Sequence, residues 1–276
     1  MSAVDSKPRK LRLRYPAVCS VCGIDLPRGT AAYWDSLTKK ACCLGCTGET
    51  LVVPEPETFA GGSALAKAAS LEERAVRHAR ARWGNEAAAV AEQVVQRDPA
   101  VLAWEKGGEG ESWLASYIRH ELGPLLSLHD RLIPGTRAAN IDHLFIVPSG
   151  VWIVDAKTYK GTVEKREYGP IWRRENELYV GRRNRSKLAD GLTVQITAVK
   201  AALRLDERVT GVPVFPALCF VDTDWPWLLS PFDVHGVNVV NPRDLRDYLR
   251  KRGSLSQDVM ERVHFALSKA LPPARR

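Results

Sequence analysis

The chain has 276 residues, which is enough for one or two domains and a sizeable core. Hydrophobic residues make up 45% and charged residues 26%, which excludes collagen-like, mucin-like and wholly disordered chains. The longest apolar runs are far shorter than the roughly 20 residues that span a bilayer, and no apolar stretch follows the basic N-terminus. We therefore expect a cytoplasmic protein with no membrane helix and no secretory signal.

The chain is basic, with 40 Lys and Arg residues against 32 Asp and Glu and a formal net charge of +8. A positive balance of this kind favours an anionic partner. Nucleic acid is the commonest such partner, so the charge makes it the first candidate.

Five of the six cysteines lie close together near the N-terminus. In a cytoplasmic protein, such clustering indicates a metal site before disulfides. The pairs Cys19/Cys22 and Cys43/Cys46 are two C-x2-C motifs at zinc-ribbon separation, and their four thiolates would complete a tetrahedron around zinc. Cys42, next to Cys43, is an alternative third ligand. The alternative to a zinc site is a set of free thiols. We expect a structural Zn²⁺ with no open position for catalysis.

The composition changes after the cysteine motifs. Pro, Glu and Gly follow Thr50 and predict a linker. The stretch 65–96 is rich in Ala, Glu and Arg with helical spacing of its apolar residues, and predicts one helix or two. Its arginines form either a solvated face or a nucleic-acid contact.

Helix and strand patterns alternate beyond residue 98, which indicates a layered α/β fold. The predicted elements are a helix from near Glu111, an apolar hairpin over 141–156, a helix over 191–208, strands over 214–221 and 237–240, a helix opened by Asn241, and a last helix over 256–270.

The hairpin carries the sharpest indication of chemistry. Strands as apolar as these are buried, so charged residues near their ends need a reason. A two-residue turn at Ser149 and Gly150 would place Asp142 opposite Lys157. Residues that face one another, and residues two apart on one strand, share a face of the sheet, so Asp142, Asp155 and Lys157 should converge. A three-residue turn would move Asp142 to the other face.

Two carboxylates and an ammonium in one patch suit phosphodiester chemistry. Asp142 and Asp155 can hold Mg²⁺ against a phosphate, while Lys157 orients water and offsets developing charge. The alternative is a cross-strand ion pair between Asp and Lys at a sheet edge.

Two further residues lie on helices that could face this patch. Glu111 shares the apolar stripe of its helix with Leu114, Ile118 and Leu122, where a carboxylate is normally excluded. A first-turn acid favoured by the helix dipole is the other interpretation. Gln195 borders the apolar stripe of its own helix and is either a site residue or a surface Gln.

Four motifs in order carry a resemblance to a known family: residues 107–111, 140–144, 151–161 and Gln195. Together they look like the nuclease-related domain (NERD) of the PD-(D/E)xK nuclease superfamily, over about residues 104–222. The resemblance implies a restriction-endonuclease-like core with a central mixed sheet and Mg²⁺-dependent DNA cleavage. It also implies roles for Glu111, Asp142, Asp155, Lys157 and Gln195. Ile141 stands where the superfamily name has Pro, and Asp155 where many members have Glu.

The residues that follow the hairpin suit a polyanion. From Lys157 to Lys187, ten basic residues stand against four acidic ones, with aromatic residues between them. Such a mixture is typical of phosphate contact and base stacking, although a solvated surface hairpin looks similar. The candidate contacts are Lys160, Arg173, Arg174, Arg182, Arg183 and Arg185.

We therefore expect a zinc-ribbon-like segment over 15–50, a linker and helical segment over 51–103, and a NERD-like nuclease domain with a C-terminal α/β extension over 104–271. The expected function is DNA cleavage with Mg²⁺ or Mn²⁺ at the active site, alongside structural Zn²⁺. The alternative is a non-catalytic nucleic-acid-binding or adaptor protein that retains the fold.

Overall fold

The computed structural model describes residues 9–20, 25–35, 38–43, 60–96, 98–136, 139–170 and 174–274. The chain divides into two units, Met1–Glu55 and Pro56–Arg276. Among the described residues, no helix combines the length and the apolar character needed to cross a membrane.

The first unit contains short strands around a few buried side chains. Its strands are β1 (Arg9–Arg12), β2 (Ala17–Val18), β3 (Asp25–Leu26), β4 (Ala31–Asp35) and β5 (Lys40–Cys43). Strands β1, β4 and β5 form one antiparallel sheet, and β2 pairs with β3. The buried apolar residues described here are Leu13, Cys19, Leu26, Ala32 and Ala41.

The second unit begins with three helices, α1 (Gly62–Trp83), α2 (Asn85–Val95) and α3 (Pro99–Leu122). The stretch 65–96 was predicted to be one helix or two, and it forms two. The break lies at Gly84, whose φ of +88° suits glycine and interrupts the helical backbone.

Helix α3 begins well before Glu111, so the prediction of a helix start near that residue was wrong. Asp98 is the N-cap, and its carboxylate accepts a hydrogen bond of 2.7 Å from the backbone N–H of Ala100. The prediction failed because the glycines between 107 and 110 look like helix breakers. Two of them are needed for close contacts: a methyl group on Gly110, for example, would come within 2.5 Å of Thr158 Cγ2.

A six-stranded mixed sheet forms the centre of the second unit, in the order β13-β14-β12-β8-β7-β6. Its strands are β6 (Leu126–Leu132), β7 (Asn140–Val147), β8 (Gly150–Lys157), β12 (Val214–Phe220), β13 (Phe232–Val234) and β14 (Val237–Val240). The pairs β8/β12 and β12/β14 are parallel and the others are antiparallel. A separate antiparallel sheet in the order β11-β10-β9 contains β9 (Val163–Tyr168), β10 (Glu175–Val180) and β11 (Arg183–Asn184).

Helices cover both faces of the central sheet. The remaining three are α4 (Lys187–Leu203), α5 (Pro242–Leu249) and α6 (Gln257–Ala270). Helices α3 and α5 pack on one face, for example through Leu114 and Leu245 against Trp152. Helices α4 and α6 pack on the other face, for example through Val199 and Val263. The predicted α/β fold with a central mixed sheet flanked by helices is therefore confirmed.

The predicted hairpin is present, but its turn differs from the expected one. Val147 pairs with Gly150, so the turn residues are Pro148 and Ser149. Gly150 belongs to β8 and has a φ of +142°. Glycine is needed there because a methyl group would lie 2.5 Å from Pro213 O. The turn still holds two residues, so the shared face is kept, although the register places Asp142 opposite Asp155 rather than Lys157.

Candidate active site

The hairpin brings two acids and a lysine together where β7 begins and β8 ends. Asp142 and Asp155 are only 7% and 8% exposed. The Asp142 Oδ2 atom accepts a hydrogen bond of 3.2 Å from the backbone N–H of Ala156. The Lys157 Nζ atom donates to Asp155 Oδ1. The structure therefore places these three predicted residues together, with the two acids buried and Lys157 partly exposed.

Helix α4 covers the sheet face that carries this group. Asp155 and Lys157 pair with Leu218 and Phe220 of the parallel strand β12. Leu218 and Phe220 share a hydrophobic cluster with Leu192 of α4. Gln195 lies almost one turn after Leu192. Its side-chain oxygen Oε1 is buried and has no hydrogen-bond partner among the residues that the structure describes.

Glu111 lies in the middle of α3, so a first-turn acid favoured by the helix dipole is excluded. Its side chain is buried, and burial raises the pKa of Glu111 to about 7. The nearby carboxylates of Asp130 and Asp155 raise this pKa further, while Lys157 and a hydrogen bond from the backbone N–H of Gly61 lower it. One oxygen, Oε2, is buried without a hydrogen-bond partner in the described part of the chain.

The four groups influence one another electrostatically. Burial raises the pKa of Asp142 well above its ordinary value, and the carboxylates of Asp155 and Glu111 add to this effect. Burial alone would lower the pKa of Lys157, but Asp155 and Asp142 raise it above its ordinary value. Three carboxyl groups thus share one ammonium group in a place from which water is largely excluded. When all three carboxyl groups are ionised, such a site has an excess of negative charge and favours a further cation.

The donor atoms fit a hard divalent cation. Among the described residues, no group of three or more His, Cys, Asp or Glu side chains is arranged to hold a metal ion. Mg²⁺, however, is commonly held by one or two carboxylates together with water and substrate phosphates. Asp142 and Asp155 supply two carboxylates, and the unpartnered Glu111 Oε2 is a third oxygen of the right chemistry.

The structure describes two of the four predicted zinc ligands. Cys19 and Cys43, one from each C-x2-C pair, are neighbours, and the Cys43 N–H donates to Cys19 Sγ at 3.2 Å. Cys22 and Cys46 lie outside the described residues. The Cys42 thiol is directed to the backbone oxygen of Cys43 at 3.6 Å. The zinc site therefore stays a prediction.

The candidate nucleic-acid contacts divide into two groups. Lys160, Arg182 and Arg183 are exposed and have no ion-pair partner among the residues described. Arg174 is paired with Glu167 at 2.8 Å, and Arg173 lies outside the described residues.

The aromatic residues of the same segment are less available than the sequence indicates. The Arg185 guanidinium lies 4.7 Å from the centre of the Tyr159 ring, and Arg166 lies 3.9 Å from that of Tyr179. These rings already have a cation on one face. Tyr168 is 72% exposed and is open to stacking.

The sequence did not predict two residues that influence the pKa of Glu111. These residues are Asp130 and Gly61. Asp130 is a charged residue of β6 that is only 4% exposed. Gly61 belongs to a stretch with the composition of a linker. No local pattern connects either residue with α3, because the contacts span tens of residues.

Part of the chain matches a known family. Residues 106–221 match the family model of the nuclease-related domain, NERD. The chain carries a NERD domain. The match includes Glu111, Asp142, Asp155, Lys157 and Gln195, and confirms the predicted resemblance. It indicates a nuclease-related function, and with it an interaction with nucleic acid. No curated protein and no solved structure matches the chain significantly.

Proposed function

We propose that the NERD domain hydrolyses phosphodiester bonds of DNA and uses Mg²⁺ or Mn²⁺ to do so. The observation that carries the proposal is the close grouping of the buried Asp142 and Asp155 with Lys157, near enough to Glu111 to influence its pKa. Buried like charges of this kind are costly to a fold, which supports a catalytic role over a structural one.

Each residue of the group has a distinct proposed role. Asp142 and Asp155 would hold the metal ion, which when bound supplies a Lewis acid and makes water easier to deprotonate. Lys157 stays protonated and offsets negative charge on the phosphate. Glu111, with a pKa of about 7, can accept or release a proton near neutral pH. The Gln195 amide is the candidate for orienting water or phosphate.

The substrate would be bound mainly through its phosphates. Lys160, Arg182 and Arg183 present exposed cations in the segment that follows β8. Contacts to phosphate are independent of base sequence, so we expect binding to depend strongly on salt and weakly on sequence.

A cleavage assay tests the proposal. Plasmid, linear duplex, single-stranded DNA and RNA are incubated with the full chain in Mg²⁺, Mn²⁺ or EDTA, and products are resolved on gels. Wild type should cleave DNA with metal only, and Asp155→Ala should be inactive. The matched control is Glu109→Ala, because Glu109 is an exposed acid two residues from Glu111 on the same helix. Cleavage in EDTA, or full activity of Asp155→Ala, would contradict the proposal.

A second candidate is a non-catalytic nucleic-acid-binding or adaptor protein that retains the nuclease fold. It is favoured by the finding that no three acidic, His or Cys side chains in the described residues are arranged to hold a metal. A wild-type protein that binds DNA but cleaves no substrate with any metal would support this alternative.

A further inference from the structure

The first turn of α1 contacts α3 next to Glu111 through backbone atoms. A methyl group on Gly61 would lie 2.2 Å from the carbonyl oxygen of Gly108, and one on Gly108 would lie 2.9 Å from Gly61 O. Only glycine at both positions allows so close an approach. Gly108 lies almost one helical turn before Glu111, and the Gly61 backbone is close enough to influence the pKa of the Glu111 carboxyl group.

Asp130 anchors the same turn from the central sheet. Its Oδ2 atom accepts a hydrogen bond of 2.6 Å from the backbone N–H of Ser63. Asn140 donates to Asp130 Oδ1 at 3.0 Å and to Ser63 Oγ at 2.9 Å. Helix α1 has no side-chain hydrogen bond from its own N-cap, Gly61, so Asp130 supplies the acceptor from 67 residues away.

The backbone of Asp130 is itself unusual. Its φ is +49°, in the left-handed region that few residues other than glycine adopt. Asp and Asn tolerate this conformation better than most side chains. A residue that is buried, charged and held in this conformation implies a specific requirement at its position.

We infer that the first turn of α1 belongs to the proposed catalytic site, with Gly61 and Asp130 as positioning residues for Glu111. The inference rests on the proposed function. Gly61 contacts the turn of α3 that leads to Glu111, and Asp130 holds the turn that carries Gly61. The site therefore extends beyond the residues of the family match, into the segment that the sequence presents as a linker.

Two glycine variants test the docking of this turn. Gly61→Ala and Gly84→Ala introduce the same side chain at nearly the same φ, +83° and +88°, but only Gly61 has a neighbour within 4 Å. We expect Gly61→Ala to lower kcat for DNA cleavage by about 10- to 100-fold with little change in KM, because displacement by about 1 Å has effects of this size. Gly84→Ala should stay close to wild type.

A second pair of variants is independent of the glycine contact. Asp130→Asn keeps an oxygen acceptor for the Ser63 N–H and tolerates the positive φ, and the Asn140 amide can turn to match it. Asp130→Ala loses both properties. We expect a reduced kcat for Asp130→Ala and substantial recovery in Asp130→Asn, and this pair decides the question if Gly61→Ala does not fold.

Amide hydrogen exchange supplies a measurement that does not depend on activity. Residues 62–66 and 107–113 should exchange faster in Gly61→Ala and Asp130→Ala than in Gly84→Ala. An active wild type whose Gly61→Ala and Asp130→Ala variants keep normal kcat would overturn this inference alone. A wild type that cleaves nothing would remove the proposed function and the inference together.

Discussion

Asp142 and Asp155 lie on the paired strands β7 and β8, and both carboxyl groups are buried. Burial and the neighbouring Asp155 carboxylate raise the pKa of Asp142, so Asp142 keeps its proton to a higher pH than an ordinary aspartate does. A cation bound by both groups would displace it. Metal binding and proton release should therefore be linked at this site.

We predict that Mg²⁺ binding releases a proton at neutral pH. Calorimetric titration of metal-free protein in buffers of different ionisation enthalpy measures this release directly. Asp142→Asn should weaken binding and abolish the release, whereas Glu109→Gln should behave as wild type. Binding heats that are identical in all buffers would show that metal binding displaces no proton from the site.

Substitutions of Asp155 and of Lys157 should have different effects on metal binding and on cleavage. Asp155→Ala should lose both metal binding and cleavage. Lys157→Ala should keep metal binding but cleave more slowly, by roughly 10²- to 10³-fold, the effect of losing one electrostatic stabiliser. Single-turnover rates and metal titrations of the two variants separate these outcomes. Equal loss of metal binding in both would assign Lys157 a structural role.

The buried Glu111 carboxyl group should make stability depend on pH. Its pKa rises from 4.5 to about 7 on folding, so between these values the folded state binds more protons than the unfolded state. Metal-free protein should therefore lose stability as pH rises through this window, by up to about 3 kcal/mol from this group. Glu111→Gln should lack that loss and unfold later than wild type at pH 8 in EDTA.

Urea denaturation at pH 5 and pH 8 measures this dependence, with Glu109→Gln as the exposed control. A pH dependence in Glu111→Gln equal to that of wild type would show that Glu111 ionises as freely in the folded chain as in the unfolded one.

The exposed cations after β8 should carry the salt dependence of DNA binding. Replacing Lys160, Arg182 and Arg183 by Gln should reduce the salt slope by about 0.9 for each phosphate of duplex DNA that the variant no longer neutralises. Arg185 is left in place because its guanidinium lies over Tyr159. Fluorescence anisotropy at several salt concentrations measures the slope, on an Asp155→Ala background to prevent cleavage.

The control for this prediction is a triple variant on α1, with Arg74, Arg80 and Arg82 changed to Gln. These arginines are exposed, and the sequence leaves open whether they form a solvated face. If this variant changes the salt slope more than the variant of Lys160, Arg182 and Arg183 does, the DNA-binding surface lies on α1.

The cysteine motifs predict one zinc ion per chain, bound by Cys19, Cys22, Cys43 and Cys46. Metal analysis of purified protein should find this stoichiometry, and Cys43→Ser should lower it, while Cys42→Ser should not. Chelation should unfold residues 15–50 and leave the NERD domain intact, because binding and folding are coupled in such small sites. If zinc is lost in Cys42→Ser but retained in Cys43→Ser, the third ligand is Cys42 and not Cys43.

Several features of the fold could be derived from local sequence. The alternation of β7 and β8 and a turn of two residues place Asp142, Asp155 and Lys157 on one face, and this holds although the turn begins one residue earlier than expected. Asn241 and Ser256 cap α5 and α6 as their sequences predict, with hydrogen bonds of 2.9 and 3.4 Å to backbone N–H groups. These features depend on residues only a few positions apart.

Other features were decided by tertiary contacts. Glycines 108 and 110 look like helix breakers, yet α3 continues through them. They are glycines because Gly61 and Thr158 approach the helix closely at these positions. Gly150 looks like a turn residue, yet it lies in a strand against Pro213. The link from Asp130 to Ser63 has no sequence signature at all. By itself, the sequence determined the face of the sheet on which the acids lie, because side-chain direction alternates with a period of two residues. Only the tertiary structure decided what surrounds Glu111, because the Gly61 backbone and the charged side chains that influence its pKa come from other segments of the chain.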